Sequence, residues 1–268
     1  MEPAVSISGI IPTQLSGSRG RPVLIAAAGL GTGAKALWTD AVAHLEDFQV
    51  IGIDLPGHGA SPASTKPYTM AGLATAVAGL VEQLRAAGDI DPEQKIFFAG
   101  VSMAGQLALQ LGLDHPQLFS GLAVICSGAR IGDPQAWQER AATVSAAGTP
   151  TMVEGSARRW FAPGFIEQHP EAAARLLHSL QNADRFAYAH ACGALAGFDV
   201  RGRLGAVTVP VIAIAGGADE VCPPPFAEAV AAGVQHGTAA VVASAAHQAP
   251  AEAPEETAAL LRRFFLAA

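Results

Sequence analysis

At 268 residues, half of them hydrophobic and 15% charged, the chain can bury a sizeable core, and one domain with room for an insertion is the expected organisation. A formal charge of −7, with no run of lysine or arginine, argues against nucleic acid or an anionic membrane surface and leaves a small diffusible molecule as the expected partner. No apolar stretch reaches the ~20 residues of a membrane span, and the first residues lack the basic and apolar regions of a signal peptide, so a cytoplasmic protein is expected. Cys126, Cys192 and Cys222 are widely spaced, odd in number and without histidines at metal-ligand spacing; they read as reduced thiols, with no metal site.

Residues 5–11 alternate weakly and predict an edge strand, followed by a turn over 16–20. Residues 22–28 form a continuous apolar run, the pattern of a strand covered on both faces in a parallel sheet. The run ends in Gly29-Leu30-Gly31-Thr32-Gly33, which either lets backbone amides approach a ligand closely or is a flexible turn before a helix around 38–45. A second buried strand over 48–54 leads into Leu55-Pro56-Gly57-His58-Gly59-Ala60-Ser61, a rigid turn in which His58 reads as a structural hydrogen-bonding residue rather than a base. Leu73, Val77, Leu80, Val81 and Leu84 recur at helical spacing across 68–84, and Gly88 and Asp89 end that helix.

Next comes a strand over 95–99, then Gly100-Val101-Ser102-Met103-Ala104-Gly105, then a helix over 103–113. Strand, tight turn and helix are the context of a nucleophile elbow, whose strained serine needs small neighbours two residues to either side; Gly100 and Ala104 supply them. The N–H of Met103 then points toward the place where an oxyanion would form. After another strand over 122–127, no strand is predicted from 130 to 204; helices are expected at 137–146, 151–160, 172–182 and 185–196. Strands resume at 209–215 and 239–243, and a helix over 254–266 closes the chain. The fold class is therefore α/β: a mostly parallel open sheet with helices on both faces. Its core would comprise 1–129 and 205–268, and a helical cap, 130–204, would sit over the carboxyl ends of the strands.

A serine hydroxyl is a poor nucleophile near neutral pH, so Ser102 needs a base and a group that orients it. Asp219 follows the strand ending at 215, and His247 follows the strand ending at 243. Catalytic groups of open parallel sheets gather at such carboxyl ends, and the order serine, acid, histidine is that of an α/β-hydrolase. Glu220 is the competing acid. His44, His115, His169, His178, His190 and His236 lack a partnered motif and read as structural or solvent-facing.

Taken together, the turn from Asp54 to Ser61, the elbow at Ser102, the Gly-Gly-Ala-Asp segment ending at Asp219, and His247 resemble the α/β-hydrolase fold family over nearly the whole chain. Esterases, non-haem haloperoxidases and carbon–carbon bond hydrolases share these features. Three further features are similar to the 3-oxoadipate enol-lactonases: Leu30-Gly31-Thr32 followed by Trp38, Ser127 to Gly132 followed by Trp137, and Arg158 to Phe165. Ala28 and Gly29 depart from the asparagine or histidine and the polar or glycine partner more common in that family, and Pro56 replaces a common arginine.

The resemblance implies attack by Ser102 on a lactone carbonyl, a base His247 oriented by Asp219, and an oxyanion held by the N–H groups of Leu30 and Met103, with no cofactor. It also implies an anionic lactone or ester bound by a cap arginine, with Arg130, Arg159 and Arg158 considered in that order, and a wall drawn from Trp137, Trp160, Phe161 and Tyr188. A neutral-ester carboxylesterase, a perhydrolase-like haloperoxidase and a ligand-binding protein with little turnover remain alternatives; the complete set Ser102, Asp219, His247 argues against the last.

Overall fold

The computed structural model describes residues 9–268. Among these residues a seven-stranded sheet has the order β1-β3-β2-β4-β5-β6-β7. In chain order its first half runs β1 (Pro12–Ser16), β2 (Val23–Ala27), helix α1 (Ala34–Trp38), β3 (Gln49–Ile53), α2 (Met70–Ala86), β4 (Ile96–Val101), α3 (Met103–Asp114) and β5 (Gly121–Ile125). β1 pairs antiparallel with β3, and all the other pairings are parallel.

Every residue of β2, β3, β4 and β5 is buried, which is why these segments read as unbroken apolar runs rather than alternating ones. The two faces of β4 show the layering. Phe97 stacks on Phe265 of the last helix at 4.6 Å, while its neighbour Phe98 meets Phe119 edge-on at 5.9 Å, as successive strand residues must point to opposite faces. α2 starts where the Thr69 hydroxyl accepts from Gly72 N at 3.1 Å and stops just before Gly88, whose φ of +74° suits a glycine.

After β5 the chain makes no strand until β6 (Val211–Gly216). The intervening helices are α4 (Pro134–Ala147), α5 (Val153–Trp160), α6 (Phe165–Gln168), α7 (Pro170–Asn182) and α8 (Arg185–Ala196). Asp133 and Asp184 cap α4 and α8 through carboxylates that accept the first free N–H groups, and Pro134 occupies the first turn of α4. α9 (Pro224–Gly233), β7 (Gly237–Val242), α10 (Ala249–Glu252) and α11 (Pro254–Phe265) complete the chain.

Three local expectations differ from the structure. The edge strand predicted over 5–11 lies mostly outside the described residues, 9–11 are irregular, and the strand instead begins at Pro12, a residue an edge tolerates because it has no N–H to pair. The helix expected around 38–45 is the short α1, followed by a 3-10 turn over Ala41–His44. α9 was not anticipated. Its buried side is made of small residues such as Ala227, with Val230, so no strong apolar period marks it, although Pro224 in its first turn is a helix-start signal.

Candidate active site

β2 lies between β3 on one side and β4 on the other, so the chain leaves β2 in one direction and returns to the opposite side for β4. The loops at the carboxyl ends of β2 and β4 therefore diverge, and the crevice between them is the expected ligand position in an open parallel sheet. Gly29 stands in the first of these loops and Ser102 in the second.

Ser102 adopts φ 56° and ψ −119°, a conformation that costs on the order of 1–3 kcal/mol for a residue with a side chain. The surroundings hold it there. Ser102 N donates to Ile125 O at 2.8 Å, and the Ser127 hydroxyl donates to Ser102 O at 2.7 Å. A methyl group on Gly100 would lie 2.1 Å from the Ala104 carbonyl oxygen, and one on Gly29 would lie 2.9 Å from Ser102 Cβ. Met103 opens α3, so its N–H precedes the helix's own hydrogen bonding. Leu30 faces the same cavity as Ser102, beside a turn closed by Thr32 N on Gly29 O at 3.2 Å.

Asp219 and His247 meet at the ends of β6 and β7. Gly216 lets their loops touch: a Cβ there would lie 1.9 Å from Ala246 O. His247 Nδ1 and Asp219 Oδ2 are 2.8 Å apart, and the other Asp219 oxygen accepts from Val221 N at 2.8 Å and Cys222 N at 3.0 Å. Since the carboxylate accepts, Nδ1 carries the proton and Nε2 of the neutral ring is left as the acceptor. Both side chains are buried, whereas Glu220, the competing acid, is exposed. Cys222 Sγ comes within 4.8 Å of donor atoms of this pair, a potential metal-ligand group. Two of its three members are already engaged: both Asp219 oxygens and His247 Nδ1 are occupied by the bonds above. The three cysteines are free and buried.

A cavity of about 200 Å³ opens over these groups. Gly29, Leu30, Ser102 and His247 form its sheet side, and the helices between β5 and β6 contribute Trp137, Arg140, Arg159, Trp160 and Tyr188. Burial pushes the Tyr188 phenol up to about 12, with the positive charge of Arg140 pulling the other way. Arg159 is lowered, first by its partial burial and then by the like charge of Arg140.

The order expected for the arginines needs correction. Arg130 does not line the cavity; it precedes α4 and its guanidinium faces Asp199 at 3.8 Å. Arg158 is exposed and paired with Glu154 one turn back on α5, while Ser156, Arg159 and Trp160 share the inward side of that helix. Phe161 stacks on Phe165 at 5.4 Å and is packing rather than wall. Arg140 was missed. It lies three residues after Trp137 on α4, and its guanidinium sits 4.7 Å from the centre of the Trp137 ring. That i, i+3 spacing next to a candidate wall residue was the available signal.

Residues 23–254 match the family model described as serine aminopeptidase, S33. The chain is 34% identical over 253 residues to 3-oxoadipate enol-lactonase 2 of Acinetobacter baylyi, covering 92% of this chain and 91% of that protein. It is 32% identical to 3-oxoadipate enol-lactonase 1 of the same organism, over 79% of this chain and 76% of the relative. Among solved structures, the enol-lactonase from Burkholderia xenovorans is similar with a TM-score of 0.88 and 26% identity, covering 97% of this chain and 96% of that one.

Proposed function

The chain belongs to that α/β-hydrolase family and is an ester hydrolase, and on this premise we propose that it opens a small carboxylate-bearing lactone, 3-oxoadipate enol-lactone, to 3-oxoadipate. The observation that carries the choice of an anionic substrate is the pair Arg140 and Arg159. Both face the cavity that holds Ser102 and His247, and among the described residues neither is ion-paired. Two cations left without a counter-ion beside a reactive serine suit a substrate that brings its own carboxylate. The names of the similar proteins agree with this reading.

In the proposed reaction, Ser102 Oγ attacks the lactone carbonyl carbon while His247 Nε2 takes its proton. Asp219 holds the ring in the required tautomer and stabilises the imidazolium. The N–H groups of Leu30 and Met103 donate to the developing oxyanion. Collapse breaks the bond from the acyl carbon to the ring oxygen; His247 returns the proton to the leaving enolate, which becomes the ketone. Water, deprotonated by His247, then attacks the acyl-Ser102 ester, and departure of the protonated serine leaves a second carboxylate. No cofactor is required by this sequence of steps. The helices over 130–204 act in it as a cap that supplies the arginines and walls the cavity.

The test is hydrolysis of freshly generated 3-oxoadipate enol-lactone, followed by loss of lactone absorbance, for the wild type and Ser102→Ala. Turnover above about 10⁴ M⁻¹s⁻¹ in kcat/KM, abolished in the variant, is the expected result. A protein that labels at Ser102 with a fluorophosphonate but leaves the lactone at its buffer rate would be a hydrolase of another ester.

A further inference from the structure

Glu252 is the only acidic side chain of α10 and stands five residues after His247. One of its oxygens accepts from Gln248 N at 2.9 Å and Ala246 N at 3.0 Å, the two residues flanking His247. Its other oxygen accepts from Ala162 N at 2.6 Å, just beyond the end of α5 and 90 residues away in sequence. The remaining N–H of the loop, that of His247 itself, donates to Trp160 O at 3.1 Å. Every N–H from Ala246 to Gln248 is thus bound, either to Glu252 or to the segment that Glu252 also holds.

From this arrangement we infer that Glu252 is a positioning residue, a latch that joins the histidine loop to the end of α5 so that the base His247 and the cavity wall Trp160 are placed together. The inference rests on His247 being the base in the proposed reaction. A carboxylate suits the task because both its oxygens accept; the glutamine amide has one acceptor and would turn an NH2 group toward N–H groups. The latch closes only when α5 is seated, so the imidazole is fixed in the same arrangement that bounds the cavity. Misplacing a catalytic group by about 1 Å costs on the order of a hundredfold in rate.

The experiment measures kcat on a short neutral ester, normalised to serine titrated with a fluorophosphonate, together with amide hydrogen exchange over 160–162 and 246–248. In Glu252→Gln, kcat per titrated serine should fall about tenfold or more while KM changes little, and exchange should quicken in both segments. Ala162→Pro removes only the cross-segment donor and leaves Glu252 in place, so it serves if the first variant folds poorly; exchange over 246–248 should quicken there as well. Wild-type kcat per titrated serine in Glu252→Gln, or an unchanged histidine loop in Ala162→Pro, overturns the latch. His247→Ala separates the two readings: turnover surviving in it overturns the base assignment and the latch's kinetic role with it, whereas loss there beside wild-type turnover in Glu252→Gln overturns the latch alone.

Discussion

Arg140 and Arg159 repel each other across a small cavity, and the lowered pKa of Arg159 carries that repulsion in part. A bound carboxylate relieves it. A hydrogen bond to a charged group is worth roughly 1.5–3 kcal/mol, or about ten- to a hundredfold in affinity. Arg140→Ala should therefore lower kcat/KM for the anionic enol-lactone by about that factor and leave a neutral aryl ester within about threefold. Arg140→Lys should recover only part of the loss, because an ammonium neither pairs bidentately nor stacks on Trp137 as the guanidinium does. Steady-state kinetics on the two substrates side by side decides it; equal losses on both would mean that Arg140 shapes the cavity rather than reading charge.

Strand ends and the helix that follows them make up the next level. The loop after β2 packs so closely on the elbow after β4 that Gly29 has no room for a side chain: an added methyl would meet Ser102 Cβ at 2.9 Å and Val101 O at 3.1 Å. Gly29→Ala should fold, since Gly29 is not among the positive-φ glycines, but shift Ser102 and lose about a hundredfold in kcat. Gly79, exposed in the middle of α2 with open space around its Cα, is the control. Gly79→Ala should leave kcat alone and raise stability by roughly 0.5–1 kcal/mol, measured by urea denaturation.

Across the whole molecule, the sheet and the helical layer meet at the turn after β3, where Asp184 N donates to Gly57 O at 2.9 Å and His58 stacks on Tyr188 of α8 at 6.1 Å. The His58 Nδ1–H donates to Pro56 O at 3.0 Å, its Nε2 has no partner, and burial pushes its pKa below the ordinary 6.5. The folded-state pKa lies below the unfolded one, so as pH falls below about 6.5 the unfolded chain takes up a proton that the folded chain refuses, and stability declines. Urea midpoints at pH 7.5 and pH 5 should therefore drop more for the wild type than for His58→Asn, whose amide can still donate to Pro56 O; equal drops would show that His58 titrates alike in both states. The structural role expected for His58 is the one its contacts describe.

The positions of Ser102, Asp219 and His247 at strand ends were legible because each depends on short-range rules: unbroken apolar runs for buried strands, small residues around a strained turn, and functional groups following strand ends. The parallel α/β class was readable for the same reason. Which arginines enter the cavity was not, because the sequence specifies that α4 and α5 are helices but not how far each is rotated about its axis; packing of α4 against α8 and of α5 against α7 turns Arg140 and Arg159 inward and leaves Arg130 with Asp199. Glu252 was equally silent in the sequence, since the N–H groups that give it meaning come from Ala162, Ala246 and Gln248. Local sterics and hydrophobic pattern determined the scaffold and the strand-end positions of the proposed reactive set, while side-chain direction and long-range hydrogen bonding, which exist only once the layers pack, decided which side chains line the cavity and which bonds tie down the loop around His247.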